Sequence, residues 1–85
     1  MWTVGYTQEV RNYIFDSYPY TETVWQKIKT LRQTNDGLPP RDWKEIEPAV
    51  YLWEVAGHTV VYKRLIVERK IIVTVLKPQD ENDDL

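Results

Sequence analysis

The chain has 85 residues, enough for one domain, because two domains of half that length could not each bury a core. It contains no cysteine, which excludes a disulfide scaffold and thiolate metal ligands and favours a reducing cytoplasm. The net charge of −2 argues against a surface that coats nucleic acid non-specifically. No apolar run reaches the length of a membrane span and the N-terminus lacks the regions of a signal peptide, so we expect a cytoplasmic protein without a membrane partner.

The first part of the chain predicts a short strand followed by two helices. Trp2–Tyr6 alternates like a strand, and Thr7 suits the N-cap of a first helix that Pro19 ends. Thr21 can cap a second helix, which ends at the turn residues of 34–37. Two short helices with so brief a connection are expected to pack as an antiparallel αα-hairpin.

The rest of the chain predicts an irregular segment and then a sheet. Residues 38–48 are rich in proline and read as a loop that Leu38, Trp43 and Ile46 anchor to the core. Three runs rich in β-branched and aromatic residues follow, at 49–56, 59–67 and 70–77.

The predicted fold class is therefore α+β. A short N-terminal strand is followed by an αα-hairpin and a three-stranded antiparallel meander, with the helices packed on one face. Residues 1–78 form the single domain, and the acidic residues 79–85 read as a disordered tail.

The histidine of the first predicted hairpin has two interpretations. Gly57-His58 fits a two-residue type II′ loop, which places Trp53 opposite Tyr62 and leaves His58 as a turn residue in solvent. The alternative is a general acid–base, because histidine titrates near neutral pH and a hairpin tip is accessible. No carboxylate lies beside His58 in the sequence to orient its ring.

Both faces of the predicted meander are apolar. The face expected to lie under the helices carries Tyr51, Trp53, Val55, Val60, Tyr62, Ile66, Ile71, Val73 and Val75. The second face is more apolar than solvent requires, so either another part of the chain or a partner is expected to cover it. The predicted partner-binding residues on that second face are Val50, Leu52, Val61, Leu65, Ile72 and Leu76.

Basic residues collect in the C-terminal half, together with aromatic ones. Such a set can hold RNA phosphates and stack bases, although the same residues also fit solvated strand ends. The predicted RNA-binding residues are Lys63, Arg64, Arg69, Lys70 and Lys77. One histidine, no cysteine and widely separated glycines predict neither a metal site nor a phosphate-binding cofactor loop.

The pattern LP…K.I…VYLWEV.GHTVVYK resembles the HigB-like branch of the RelE/ParE superfamily of bacterial toxin–antitoxin toxins. The resemblance is best over residues 38–78, and the order of elements extends it over nearly the whole chain. Three departures separate the chain from ribonucleolytic members. Val55 replaces the strand arginine, His58-Thr59 replaces Tyr-Arg, and Lys77-Pro78 closes the last strand in place of the family's terminal basic or tyrosine residues. The catalytic residues that the resemblance implies are Tyr62 and, as a substitute, His58, with Trp53, Glu54 and Lys77 as further matches.

The resemblance implies a toxin-like protein that acts by binding a protein partner, such as an antitoxin-like segment, and whose target is translation or another essential machine. Two alternatives stay open. One is a metal-free endoribonuclease acting on mRNA at the ribosome, and the other is a non-catalytic interaction domain that kept the fold and lost the activity. The missing arginines favour the latter, because cleavage of RNA requires stabilisation of developing charge. A homodimer through the exposed sheet is also left open.

Overall fold

The computed structural model describes residues 1–79, so the predicted tail lies outside the described residues except for Gln79. Two α-helices and five strands follow one another along the chain, with a 3-10 helix at Thr30–Gln33. The elements are β1 (Thr3–Tyr6), α1 (Gln8–Asp16), α2 (Glu22–Lys29), β2 (Trp43–Glu47), β3 (Val50–Val55), β4 (His58–Leu65) and β5 (Lys70–Pro78). Within residues 1–79, no helix is long and apolar enough to cross a membrane.

All five strands form one mixed sheet in the order β1-β5-β4-β3-β2. The strand β1 pairs in parallel with β5, whereas the other neighbours pair antiparallel. The predicted architecture, a short N-terminal strand followed by an αα-hairpin and a three-stranded antiparallel meander, is therefore wrong. The N-terminal strand joins the sheet at one edge, and an unpredicted strand joins it at the other.

The unpredicted strand is β2, which lies in the segment interpreted as a loop. Trp43 pairs with Trp53 and Lys44 pairs with Leu52, and a bulge follows between Glu45 and Glu47. Charged residues and a bulge are common on edge strands, because both discourage pairing with another chain. They also hide the alternation by which a strand is recognised in a sequence, and the flanking prolines reinforced the wrong interpretation.

The two helices pack on one face of the sheet and, with the 3-10 helix, supply part of the core. Thr7 caps α1 by accepting a hydrogen bond from the Val10 amide at 3.4 Å. The buried Thr21 hydroxyl donates to the Ile14 carbonyl at 2.7 Å and so ties the start of α2 to α1. The buried apolar residues of the helical layer are Val10, Ile14, Val24, Ile28 and Leu31. They meet buried sheet residues at Tyr51, Trp53, Val60, Tyr62, Ile71, Val73 and Leu76.

The first hairpin turns one residue earlier than the sequence predicts. Val55 pairs with His58, so Ala56-Gly57 is the two-residue loop and His58 begins β4. Both loop residues have positive φ, 54° at Ala56 and 72° at Gly57, as in a type I′ turn. Trp53 consequently pairs with Val60 and not with Tyr62, so the predicted register is wrong by two residues.

A bulge in the second hairpin reverses part of the predicted face assignment. The pairing shifts between Val61 and Tyr62, so Val61 lies opposite Val75 and Tyr62 lies opposite Val73. Beyond this shift the side chains of β5 lie on the faces opposite to those predicted. Leu76 is buried in the core, whereas Val75 is 39% exposed on the face away from the helices. Ile66 lies in the β4–β5 turn and is also exposed. Leu76 was predicted to bind a partner and Val75 and Ile66 to be core, so these three assignments are wrong.

Substitution of Ala56 tests the turn. We expect Ala56→Asn to raise the free energy of unfolding by about 0.5–1 kcal/mol, because asparagine tolerates the left-handed conformation better than alanine. Gly57→Ala is expected to lower it by about 1 kcal/mol for the same reason. Urea denaturation followed by tryptophan fluorescence measures both changes. A destabilising Ala56→Asn would contradict the type I′ geometry.

Candidate binding surfaces

The predicted catalytic histidine is part of the core. His58 is 1% exposed, its Nε2 lies 2.9 Å from the Tyr13 hydroxyl, and its Nδ1 lies 3.0 Å from the Ala56 carbonyl. Since a carbonyl only accepts, Nδ1 donates to Ala56, and Nε2 shares a hydrogen bond with the Tyr13 hydroxyl. The ring of Tyr20 packs against the imidazole with centroids 5.1 Å apart. The prediction that His58 is a turn residue in solvent is wrong, because the turn ends before it.

This environment gives His58 a structural role. Both ring nitrogens have partners, and the side chain has almost no contact with solvent. An acid–base catalyst must reach a substrate atom at hydrogen-bond distance, directly or through one water. In this arrangement the imidazole instead joins α1, the turn and β4, and the geometry does not favour the predicted catalytic function.

Tyr62, the other predicted catalytic residue, is fully buried. Its hydroxyl donates to the Gly37 carbonyl at 2.9 Å and so holds the loop before β2 against the sheet. Burial raises the pKa of the Tyr62 hydroxyl well above its usual value, against a smaller lowering by Arg64. A hydroxyl whose pKa lies so far above neutrality is unsuited to general acid–base catalysis at neutral pH. Tyr62 and His58 are four residues apart on one strand, about 13 Å, so they do not form a joint site.

The predicted RNA-binding residues do not form one patch. Arg64 lies on the helix side, where it donates to the Asp36 carbonyl and to the Tyr51 hydroxyl. Arg69 lies in the β4–β5 turn with its guanidinium 4.8 Å from the centre of the Trp2 ring. The three lysines project from the opposite face of the sheet, where Lys70 and Lys77 are roughly 20 Å apart along β5. Two of the five bases therefore serve as internal contacts.

Metal binding has no support in the described part of the chain. Within residues 1–79, no three histidine, cysteine or carboxylate side chains lie close enough together to hold an ion.

The face of the sheet away from the helices carries a contiguous aliphatic surface. Register places Val75, Val61 and Leu52 in one row across β5, β4 and β3, and places Ile72 and Val50 in the next row. We call these five residues the open-face patch. Four of them were predicted to bind a partner, and Leu65 lies half-buried farther along β4. Val75 is a member that the sequence did not predict, because the bulge on β5 brings it there.

Charged side chains border this patch, and one lies within it. Lys63 lies between Ile72 and Val50 in its row and is exposed. Lys44 extends the other row beyond Leu52, where it borders a hollow of about 300 Å³ lined also by Trp43 and Glu54. The patch is thus an aliphatic surface with a cation near its centre.

A second surface, which the sequence did not predict, lies along the outer edge of β1. A hollow of about 360 Å³ separates Val4 and Tyr6 of β1 from Trp25 and Lys29 of α2, and Arg32 closes its end. Lys29 lies over the Trp25 ring, with its ammonium 4.6 Å from the ring centre. Trp25 also donates from Nε1 to the Tyr6 hydroxyl at 3.2 Å, and burial raises the pKa of that hydroxyl.

A further hollow of about 270 Å³ continues this surface on the far side of Tyr6 and Trp25. It is lined by Arg11, Ile14 and Phe15 of α1, and Phe15 is 60% exposed. We call the two hollows together the β1 groove. Trp25, Lys29 and Arg32 recur at i, i+4 and i+7, but the sequence pattern assigns only Trp25 and Arg32 to a wider core-facing stripe and leaves Lys29 off it.

Comparison of the chain with protein-family models, curated proteins and solved structures finds no match. The resemblance to the RelE/ParE superfamily therefore stays a prediction from the residues, and the candidate surfaces are argued from their geometry.

The hydroxyl of Tyr62 offers a direct test of its structural role. Tyr62→Phe is expected to lower the free energy of unfolding by about 1–3 kcal/mol, because it leaves the Gly37 carbonyl without its buried donor. Tyr18→Phe is the matched control, since Tyr18 is exposed and its substitution is expected to have little effect. Equal stability of the two variants in urea would contradict the proposed contact.

The raised pKa of Tyr62 predicts a dependence of stability on alkaline pH. Above about pH 10 the unfolded chain releases this proton and the folded chain keeps it, so the free energy of unfolding falls as pH rises. The fall is expected to be smaller in Tyr62→Phe than in the unsubstituted protein. Urea denaturation at a series of pH values between neutrality and pH 11 measures it, and identical slopes would contradict the assignment.

Proposed function

We propose that the protein is a non-catalytic binding domain that receives a protein partner on the open-face patch. The observation that carries the proposal is the coverage of the sheet by helices on one face only, while five aliphatic side chains remain contiguous on the other. Contiguous apolar surface of this kind commonly marks an interaction site on a small protein.

The burial of the two predicted catalytic side chains supports a binding function over a catalytic one. Both His58 and Tyr62 use their polar atoms to hold the fold together. The dispersal of the predicted RNA-binding residues also supports a binding function over cleavage of RNA. The features that remain exposed, an aliphatic patch with lysines around it, suit binding of a protein partner.

The charges on the open face specify the chemistry of the partner. Lys63 is surrounded by aliphatic neighbours, so a partner that covers the patch must offer its ammonium a carboxylate or leave it buried and unpaired. Lys44 and Lys77 border the same face. The partner is therefore a protein surface that is apolar at its centre and carries acidic residues opposite these lysines. An antitoxin-like segment, as the RelE/ParE resemblance implies, is one partner with which this proposal is compatible.

Site-specific photocrosslinking in cells tests the proposal. A benzoylphenylalanine replaces Val75 in one variant and Tyr18, which is exposed on the helical side, in the other. We expect the Val75 variant to form an adduct with one distinct protein and the Tyr18 variant to form none with that protein. An adduct of twice the chain's own mass would instead show self-association and overturn the proposal.

Charge reversal sharpens this experiment. Lys63→Glu in the crosslinking chain is expected to reduce the adduct more than tenfold, because like charges would meet in a desolvated interface. Lys27→Glu makes the same change in net charge on α2 and is expected to leave the adduct intact. Loss of the adduct in both variants, or in neither, would contradict recognition through Lys63.

A further inference from the structure

We infer that the β1 groove binds an extended acidic peptide segment, which adds to the sheet alongside β1. This site is separate from the open-face patch, and it would give the domain a second point of attachment. Three features support it: an unpaired strand edge, a wall whose charged groups are all cationic, and aromatic side chains that define where the segment lies.

The first feature is the outer edge of β1. Thr3 and Thr7 donate their amides to the Arg69 and Val73 carbonyls, so the odd-numbered residues bond towards β5. In a parallel ladder the intervening residues direct their amides and carbonyls to the other side. The outward amide of Trp2 donates to the Arg32 carbonyl and the outward carbonyl of Tyr6 accepts from Arg11 at 3.2 Å, so the open part of the edge is the backbone of Val4 at its centre. An added strand can pair there, as in other cases of strand addition.

The second feature is the charge of the groove wall. Lys29 and Arg32 line the first hollow and Arg11 lines the second. No acidic side chain lines either hollow within residues 1–79. The Tyr6 hydroxyl accepts from Trp25, so its own proton can be donated to a further acceptor in the groove. The groove thus offers two ammonium or guanidinium groups and a hydroxyl donor to carboxylates at one end.

The third feature is the arrangement of the aromatic rings. Trp25 has Lys29 over its face and Phe15 packed edge-on, with centroids 6.0 Å apart, and Trp2 is buried beneath Arg69. Single-stranded nucleic acids bind by stacking bases on accessible ring faces, and a cation already covers one face of each of these two indole rings. The exposed side of Phe15 instead suits an apolar side chain. The geometry therefore favours a peptide that alternates acidic and apolar residues.

Fluorescence anisotropy with a labelled peptide of alternating glutamate and valine tests this inference on the full-length chain. The peptide is expected to bind, and the double substitution Lys29→Glu with Arg32→Glu is expected to weaken binding at least tenfold. The control combines Lys27→Glu with Arg41→Glu, which changes the net charge equally but lies outside the β1 groove and outside the open-face patch. Loss of binding in both double variants, in neither, or no binding to the unsubstituted chain would overturn the inference.

Two further measurements test the contact with Phe15 and the strand pairing at Val4. Phe15→Ala removes an exposed side chain, so the fold is expected to survive, and peptide affinity is expected to fall severalfold. Amide exchange followed by NMR is expected to show protection of Val4 only when the peptide is present. Peptide binding that leaves Val4 unprotected, or tighter binding of an oligouridylate of similar length, would overturn the assignment to a strand-like acidic segment. Lys63→Glu is expected to leave peptide binding unchanged, which separates this site from the open-face patch.

Discussion

The architecture depends on the placement of β1 and β2 at opposite edges of one sheet. Four strand spacings separate them, about 19 Å, and residues 7–42 must cross that distance. The two helices lie within this connection, so their packing covers one face of the sheet as the chain crosses it. Pairing of β1 with the last strand fixes the start of the crossing, and the bulged pairing of β2 with β3 fixes its end. No described element remains to cover the opposite face.

Both candidate surfaces follow from that crossing. The uncovered face retains aliphatic residues because its strands are central in the sheet and need neighbours of similar shape for cross-strand packing. The β1 groove arises because α2 ends beside β1, where the Arg32 carbonyl accepts from the Trp2 amide and the side chains of Trp25 and Lys29 overhang the strand edge. The two side chains predicted to be catalytic, Tyr62 and His58, stabilise this connection across the sheet. Tyr62 holds the loop that leads to β2, and His58 joins the first helix to the first hairpin.

Sequence patterns predicted the helices, four of the five described strands and most of the core, but not the connectivity of the sheet. Tyr51 and Trp53 lie on the predicted face although the predicted register is wrong. The register error is two residues, and side chains in a strand alternate between faces with a period of two. The bulge on β5 adds one residue to that strand, and a shift of one residue exchanges the two faces. Val75 therefore lies on the face opposite to the predicted one. The β1 groove was missed because the exposure of Trp25 depends on where a distant strand pairs, which a local helical pattern does not encode.

The most direct test of this account is an NMR measurement of the pairing between β1 and β5 in the unliganded protein. We expect nuclear Overhauser contacts across the parallel ladder, between the backbones of Gly5 and Ile72 and their neighbours, with slow amide exchange at Gly5 and Thr7 and fast exchange at Val4. Absence of these contacts, with rapid exchange throughout residues 3–7, would contradict the account, because the helices would then have no fixed route across the sheet.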